Sequence, residues 1–300
     1  MLRWRVTLGA LFIGLLVALF WLDHRLAPPG IALMPLALLL AVAATGELLQ
    51  LLATRGFRPC AWAAYCGGVT LVALHWIPVV LSLDQYQRWA LALPLSGWGL
   101  AVCLVFVAEM CRYQRSGEVV ERLALALLAI AYVGGLLGFV VLLRLLSLPD
   151  KPPGSLGIVA LGSLVIVVKL SDIGAYTVGR LIGRHKLAPV LSPRKTIEGA
   201  LGGLVFACGG AYLSLHVLAP PLVGELPIRP WCWLMLGLLL AVFGMLGDLA
   251  ESLIKRDVGR KDSSRWMPGF GGLLDLLDSV LLAAPAAYVF WNVALACRPS

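Results

Sequence analysis

The chain has 300 residues, 60% of them hydrophobic and 13% charged, with a formal net charge of +8. Apolar runs of about 20 residues recur from end to end, which excludes a soluble globular domain and describes an all-α, polytopic integral membrane protein. The positive charge does not point to nucleic acid, because Lys and Arg sit in short links between apolar runs, where they orient the chain and meet anionic headgroups or phosphates.

The first 25 residues have a charged start and an apolar run. That run outlasts the roughly 7–15 residues of a signal h-region, and no small-residue cleavage site follows, so it reads as a retained first span. Nine spans are expected, over residues 6–22, 31–53, 60–82, 89–110, 123–146, 155–180, 198–219, 231–253 and 272–296. Five belong to an N-terminal portion, 1–150, and four to a C-terminal catalytic portion, 151–300. Links such as Pro28-Pro29-Gly30, Pro152-Pro153-Gly154 and Pro220-Pro221 are too short to separate a soluble domain, so the portions form a single integrated membrane domain.

Of the 24 Lys and Arg, 17 lie on the side holding the N-terminus and the links after spans two, four, six and eight; six lie on the other, and Lys169 falls inside span six. This bias places the N-terminus and those links in the cytoplasm, at a bacterial-type inner membrane. It leans on the links at 180–195 and 255–265, without which the counts are 7 and 6.

Glu47 and Glu109 lie in or at the end of apolar spans, where interhelical hydrogen bonding accounts for them, and neither is assigned to a site. The seven cysteines are scattered with no CxxC pair and the four histidines are equally dispersed, which argues against a His/Cys zinc site. Trp4, Trp21, Trp89, Trp231 and Trp291 fall near span ends, as belt residues do, whereas Trp266 lies in a charged link.

Ionised residues in a bilayer cost about 2.5–3.5 kcal/mol each on insertion scales, so their positions carry information. Span six contains Lys169 and Asp172, with Asp172 in its cytoplasmic half. Asp248 and Glu251 close span eight, and Asp275 and Asp278 open span nine with the same three-residue spacing, which shares a helix face. Five carboxylates at one membrane depth repel one another unless cations intervene, and oxygen ligands suit Mg2+.

Bases stand beside these acids. In the link after span six, Thr196 or Ser192 is positioned to cap the next helix, with Arg194 and Lys195 beside its start, the composition of a phosphate site. The link after span eight adds Lys255, Arg256, Arg260, Lys261 and Arg265, then Gly271 and Gly272, whose backbone amides can turn toward an anion. Metal-binding acids next to phosphate-binding bases are what phosphoryl or nucleotidyl transfer requires. No GxSxG elbow, HExxH or GxxxxGK[ST] loop occurs.

From Ser252 to Arg256, through Lys261, Asp262, Ser264, Pro268, Gly271 and Gly272 to Asp275 and Asp278, the chain resembles the signature of phosphatidate cytidylyltransferases, or CDP-diacylglycerol synthases. Gly247, Asp248, Leu249 and Glu251, the run Asp172 to Tyr176, and Ser192, Pro193, Arg194, Lys195, Thr196, Glu198 and Gly199 look like further blocks of that family. The likeness covers roughly residues 169–280; spans one to five share only hydrophobicity with the family. Phe270 stands where the family usually has His, Met267 at an aliphatic or Phe position, and Leu276 in place of Arg, which marks a divergent member.

The resemblance implies an Mg2+-dependent enzyme that joins CTP and phosphatidic acid to give CDP-diacylglycerol and pyrophosphate. It implies that Asp248, Asp275 and Asp278 hold the metal, with Asp172 and Glu251 supporting, and that Asp248, Asp275, Lys255 and Arg256 are catalytic. Ser192, Arg194, Lys195, Thr196, Lys261, Arg265, Gly271 and Gly272 are the expected substrate-binding residues. Membrane lipids are the remaining partners, with a homodimer left open. Two alternatives use the same residues: a CTP-dependent lipid or polyprenol kinase, and an ion-coupled transporter whose buried acids carry ions.

Overall fold

A computed structural model describes residues 2–81, 86–114, 117–148, 151, 154–261, 263–264 and 271–297. In hydrocarbon every backbone amide and carbonyl needs an internal partner, so the Leu-, Val- and Ala-rich runs fold as helices. Among the described residues seven helices are long and apolar enough to cross a membrane: Met34–Ala53, Ala92–Arg112, Val119–Arg144, Ser155–Ile182, Ile197–Val223, Cys232–Asp257 and Leu273–Ala296.

These seven coincide with seven of the nine expected spans. The first expected span is helical, as α1 (Leu2–Arg25). The third is broken: α3 (Ala61–Leu74) has 14 residues and is followed by the short α4 (Ile77–Val80). Fourteen residues rise only about 21 Å at 1.5 Å each, short of the ~30 Å hydrocarbon core. Pro78 explains the break, since it has no N–H to donate to the carbonyl of Leu74 and cannot extend the ladder.

The chain forms two compact units, the first comprising Met1–Val141 and Val258–Leu276 and the second Leu142–Asp257 and Leu277–Ser300. In the first unit α2 (Met34–Ala53) and α5 (Tyr86–Arg112) pack on α3, and α6 (Val119–Ala129) runs through a π-helical turn, Ile130–Gly135, into α7 (Leu136–Arg144). Its core includes Ala63, Leu71, Val105, Ala126 and Ile130. A Cβ on Gly134 would lie 2.6 Å from the Gly68 Cα, so the π turn and α3 meet backbone to backbone, the small-residue contact that lets membrane helices approach closely. Buried Glu109 at the end of α5 accepts from Arg122 Nε at 2.8 Å and Arg112 Nη1 at 3.3 Å, fastening α5 to α6.

In the second unit α8 (Ser155–Ile182) lies along α9 (Ile197–Tyr212), which continues through a π turn, Leu213–Leu218, to α10 (Pro220–Val223). Glycines make the α8–α9 seam tight: a Cβ on Gly174 would sit 2.8 Å from the Gly202 carbonyl oxygen, and one on Gly199 2.7 Å from that of Ala175. α11 (Cys232–Asp257) packs on α8 and α9, with Gly237 against the Cys208 backbone. The later part of α12 (Leu273–Ala296) belongs to this unit, where Trp291 Nε1 donates to Ser163 Oγ at 3.3 Å.

The second unit also holds a two-stranded sheet. Residues 186–196 form an antiparallel hairpin, β1 (Lys186–Ala188) with β2 (Ser192–Thr196), pairing Lys186 with Thr196 and Ala188 with Ser192.

Candidate active site

The hairpin and three helices of the second unit bring opposite charges together. Lys195, in β2, places Nζ 2.6 Å from Asp248 Oδ2 on α11. On α8, Lys169 Nζ lies 3.3 Å from Asp172 Oδ2. Asp172 and Asp278 each lie within electrostatic reach of Asp248, and the charge of Lys169 acts on both. Among the described residues this sets three carboxylates beside two ammonium groups. Side-chain exposures of 43% for Asp172 and 35% for Asp248 make them accessible to a ligand, whereas Asp278 is buried and accepts from Ser279 Oγ at 3.0 Å.

The hairpin is positioned by the ends it joins. Thr196 is the N-cap of α9, its Oγ1 accepting from Gly199 N at 3.1 Å, which fulfils one of the two capping options. Glu198, in the first turn of α9, accepts from the backbone amides of Arg184 at 3.0 Å and His185 at 3.2 Å, and touches His185 Nδ1 at 2.6 Å. Ser192 pairs with Ala188 within the hairpin, and Arg194 is exposed on it. Arg256 Nε donates to the Leu191 carbonyl at 3.2 Å, tying the end of α11 to the hairpin tip.

Glu251 and Lys255 form a buried pair on α11, with Nζ to Oε2 at 2.6 Å. Ser252 Oγ reaches Asp248 Oδ1 at 3.5 Å.

The first unit holds a second polar cluster. Asp275 Oδ2 accepts from Gly272 N at 2.7 Å, Ser263 Oγ at 2.9 Å and Ser263 N at 3.2 Å. Gly271 has φ +87°, which favours glycine, and a Cβ on Gly272 would collide with Ser263 Oγ and the Glu47 carboxylate. Nearby is a cavity of about 450 Å3 lined by Gln50, Leu51, Thr54, Arg260, Lys261, Ser263 and Ser264. Two cationic side chains, three hydroxyls and an amide give this cavity the chemistry of an anion site. Arg265, Trp266, Met267 and Phe270 lie outside the described residues.

Of the expected metal ligands in the second unit, Asp172 and Asp278 lie within electrostatic reach of Asp248, and Glu251 is paired with Lys255; in the first unit Asp275 accepts from Ser263 and Gly272. Among the described residues no three His, Cys, Asp or Glu side chains form a ready-made metal cage. Mg2+ does not need one, because it is commonly bound by one or two carboxylates together with waters and substrate phosphates. The partly exposed hard oxygens of Asp172 and Asp248 fit such an ion.

Three contributors belong to no motif in the sequence. Lys169, a lone base in span six, pairs with Asp172. Ser263 hydrogen-bonds Asp275. The Glu47 carboxylate, explained in the sequence by interhelical hydrogen bonding, reaches Ser263, Ser264 and the start of α12. The available signal was the rarity of an acid inside an apolar span.

Fold and site together define a polytopic membrane protein whose second unit brings acidic and basic side chains of several helices and a hairpin together. A profile of the cytidylyltransferase family matches residues 3–294. The chain is 33% identical over 256 residues to the phosphatidate cytidylyltransferase of Staphylococcus epidermidis, covering 85% of this chain and 88% of that one. It is 33% identical over 277 residues to that of Mycobacterium leprae, covering 81% and 82%, and 35% identical over 209 residues to that of Haemophilus influenzae, covering 69% and 70%. The chain belongs to the cytidylyltransferase family.

Proposed function

We infer that this protein transfers the cytidylyl group of CTP to phosphatidic acid, giving CDP-diacylglycerol and pyrophosphate. The observation that carries the reading is the family match over nearly the whole chain, to relatives named phosphatidate cytidylyltransferase. The lipid phosphate oxygen attacks the α-phosphorus of CTP, the bond to the bridging oxygen of the β-phosphate breaks, and pyrophosphate leaves with that electron pair. A phosphate monoester is already anionic near neutral pH, so no strong general base is required. What the reaction needs is relief of repulsion between two anions.

Lys195 is placed to supply part of that relief, since its ammonium sits at Asp248 on the accessible side of the cluster. A triphosphate entering there exchanges one anionic partner of Lys195 for another. Asp248, with Asp172 and Asp278 near it, is the proposed holder of Mg2+; the resemblance adds Asp275 and Glu251 to that set. Bound Mg2+ supplies charge neutralisation at the phosphates. Arg256 and Glu198 keep the hairpin in place, and Arg194, Lys261 and Arg265 are proposed phosphate contacts. Gly271 and Gly272 leave room for an anion to approach the backbone.

The cytoplasmic face of a bacterial inner membrane is the proposed location, supported by the Lys and Arg bias and by the bacterial origin of the relatives. Phosphatidic acid then enters laterally from the leaflet. The test is to incubate the purified protein with CTP, Mg2+ and phosphatidic acid and measure pyrophosphate and liponucleotide. Equal amounts of both are expected, and pyrophosphate without lipid product would contradict the reading.

A further inference from the structure

Glu47 is 8% exposed, in a helix without any other acidic residue. Burying a carboxylate in an apolar span is costly unless donors surround it, and here they do. Leu273 N donates to Oε1 at 2.9 Å and Leu274 N to Oε2 at 2.8 Å. Ser264 Oγ donates to Oε1 at 2.9 Å, and Ser263 Oγ lies 3.4 Å from Oε2.

Leu273 and Leu274 are the first residues of α12, and a helix start leaves its leading amides without partners inside the helix. A local Ser, Thr, Asp or Asn normally fills this role from the N-cap, but Gly272 stands there and has no side chain. Glu47 supplies the missing acceptor from more than 200 positions away in sequence, and its charge suits the positive end of the helix dipole. Asp275 completes the arrangement from inside α12 by accepting from Gly272 N at 2.7 Å. Ser263 touches both carboxylates, 2.9 Å from Asp275 and 3.4 Å from Glu47. One and two turns further along the same face of α2, Gln50, Leu51 and Thr54 line the cavity shared with Arg260 and Lys261.

We propose that Glu47 is a positioning residue for cytidylyl transfer: from α2 it caps α12 and clamps Ser263 and Ser264, fixing the Asp275 carboxylate and the basic cavity wall for the phosphates of the substrate. This rests on the reading of Asp275 as a metal-binding carboxylate and of Lys261 as a phosphate contact. The role is exerted through α12 and the serines, and Glu47 itself touches no substrate.

The experiment compares the full-length wild type with Glu47→Gln and Glu47→Asp, purified in detergent. Gln keeps the shape and removes the charge; Asp keeps the charge and retracts it. Amide hydrogen exchange over residues 272–276 reports the cap directly. Loss of charge-assisted hydrogen bonds predicts exchange about tenfold faster in both variants. In the same samples, the Mg2+ and CTP concentrations giving half-maximal rate are expected to rise several-fold, which a smaller active fraction alone does not produce.

Unchanged exchange in the variants overturns the cap, as does rapid exchange of these amides in the wild type, which needs no variant at all. Faster exchange with unaltered Mg2+ and CTP dependence overturns the positioning role. Should the wild type turn over without Mg2+, the metal reading falls by itself, and the CTP dependence of the variants alone decides the proposal.

Discussion

Lys195 Nζ lies 2.6 Å from Asp248 Oδ2, joining the only hairpin among the described residues to the helix that carries the family's Gly247-Asp248-Leu249 block. The lysine is 23% and the aspartate 35% exposed, so the pair is partly buried yet still reachable by a ligand, and its contribution to stability is on the order of 1 kcal/mol. Lys195→Met is therefore expected to lower turnover by roughly 100-fold, on the scale of removing one transition-state donor, while leaving the melting temperature within a few degrees. Initial rates and thermal melts on the same preparation check this; equal loss of both makes the pair structural.

Asp248→Asn and Asp172→Asn each remove one of the three charges in the second-unit cluster. Both are expected to raise the Mg2+ concentration for half-maximal rate, each also releasing a lysine, Lys195 from Asp248 and Lys169 from Asp172. Membrane insertion should be intact, since a neutral Asn costs less in a span than an ionised Asp. Near-normal turnover and Mg2+ dependence in both variants would sink the metal assignment.

Glu198→Gln should loosen the hairpin. Its carboxylate holds the Arg184 and His185 amides, and the segment it anchors carries Arg184, Lys186, Arg194 and Lys195, four sites for trypsin. Limited proteolysis of the variant is expected to cut within 184–195 at least several-fold faster than in the wild type. Cleavage at the wild-type rate would show that strand pairing alone holds the loop.

Gly134→Ala tests the packing of the first unit. A Cβ there falls 2.6 Å from the Gly68 Cα, a clash with backbone that only helix displacement relieves. Overpacking of this kind costs about 1–3 kcal/mol. A lower temperature of thermal inactivation is expected, with the CTP dependence of the remaining activity unchanged. An unshifted inactivation temperature would mean that α3 and the π turn have more room than their backbones show.

Much of this architecture is legible in the sequence because lipid allows so few solutions. Apolar runs become helices, and seven expected spans fall within a few residues of the observed ones. The acids themselves stand out in the sequence, because an ionisable residue is rare in an apolar run, and the second unit brings Asp172 and Asp278 within electrostatic reach of Asp248. The broken third span was missed because apolar composition conceals a short helix, although Pro78 was the physical cue. The hairpin at 186–196 shows no alternation of apolar and polar residues, since it lies at the surface with neither face in a core. Glu47 illustrates the deeper limit. Its partners are separated from it by more than 200 residues, and no local pattern in α2 reports which helix start it will meet.

The most direct measurement follows the fate of each phosphate of CTP. With purified protein, Mg2+ and phosphatidic acid, label in the α-phosphate is expected on the lipid, and label in the γ-phosphate in released pyrophosphate. Label from the γ-phosphate on the lipid, with the α label left in CDP, would contradict cytidylyl transfer and identify a kinase.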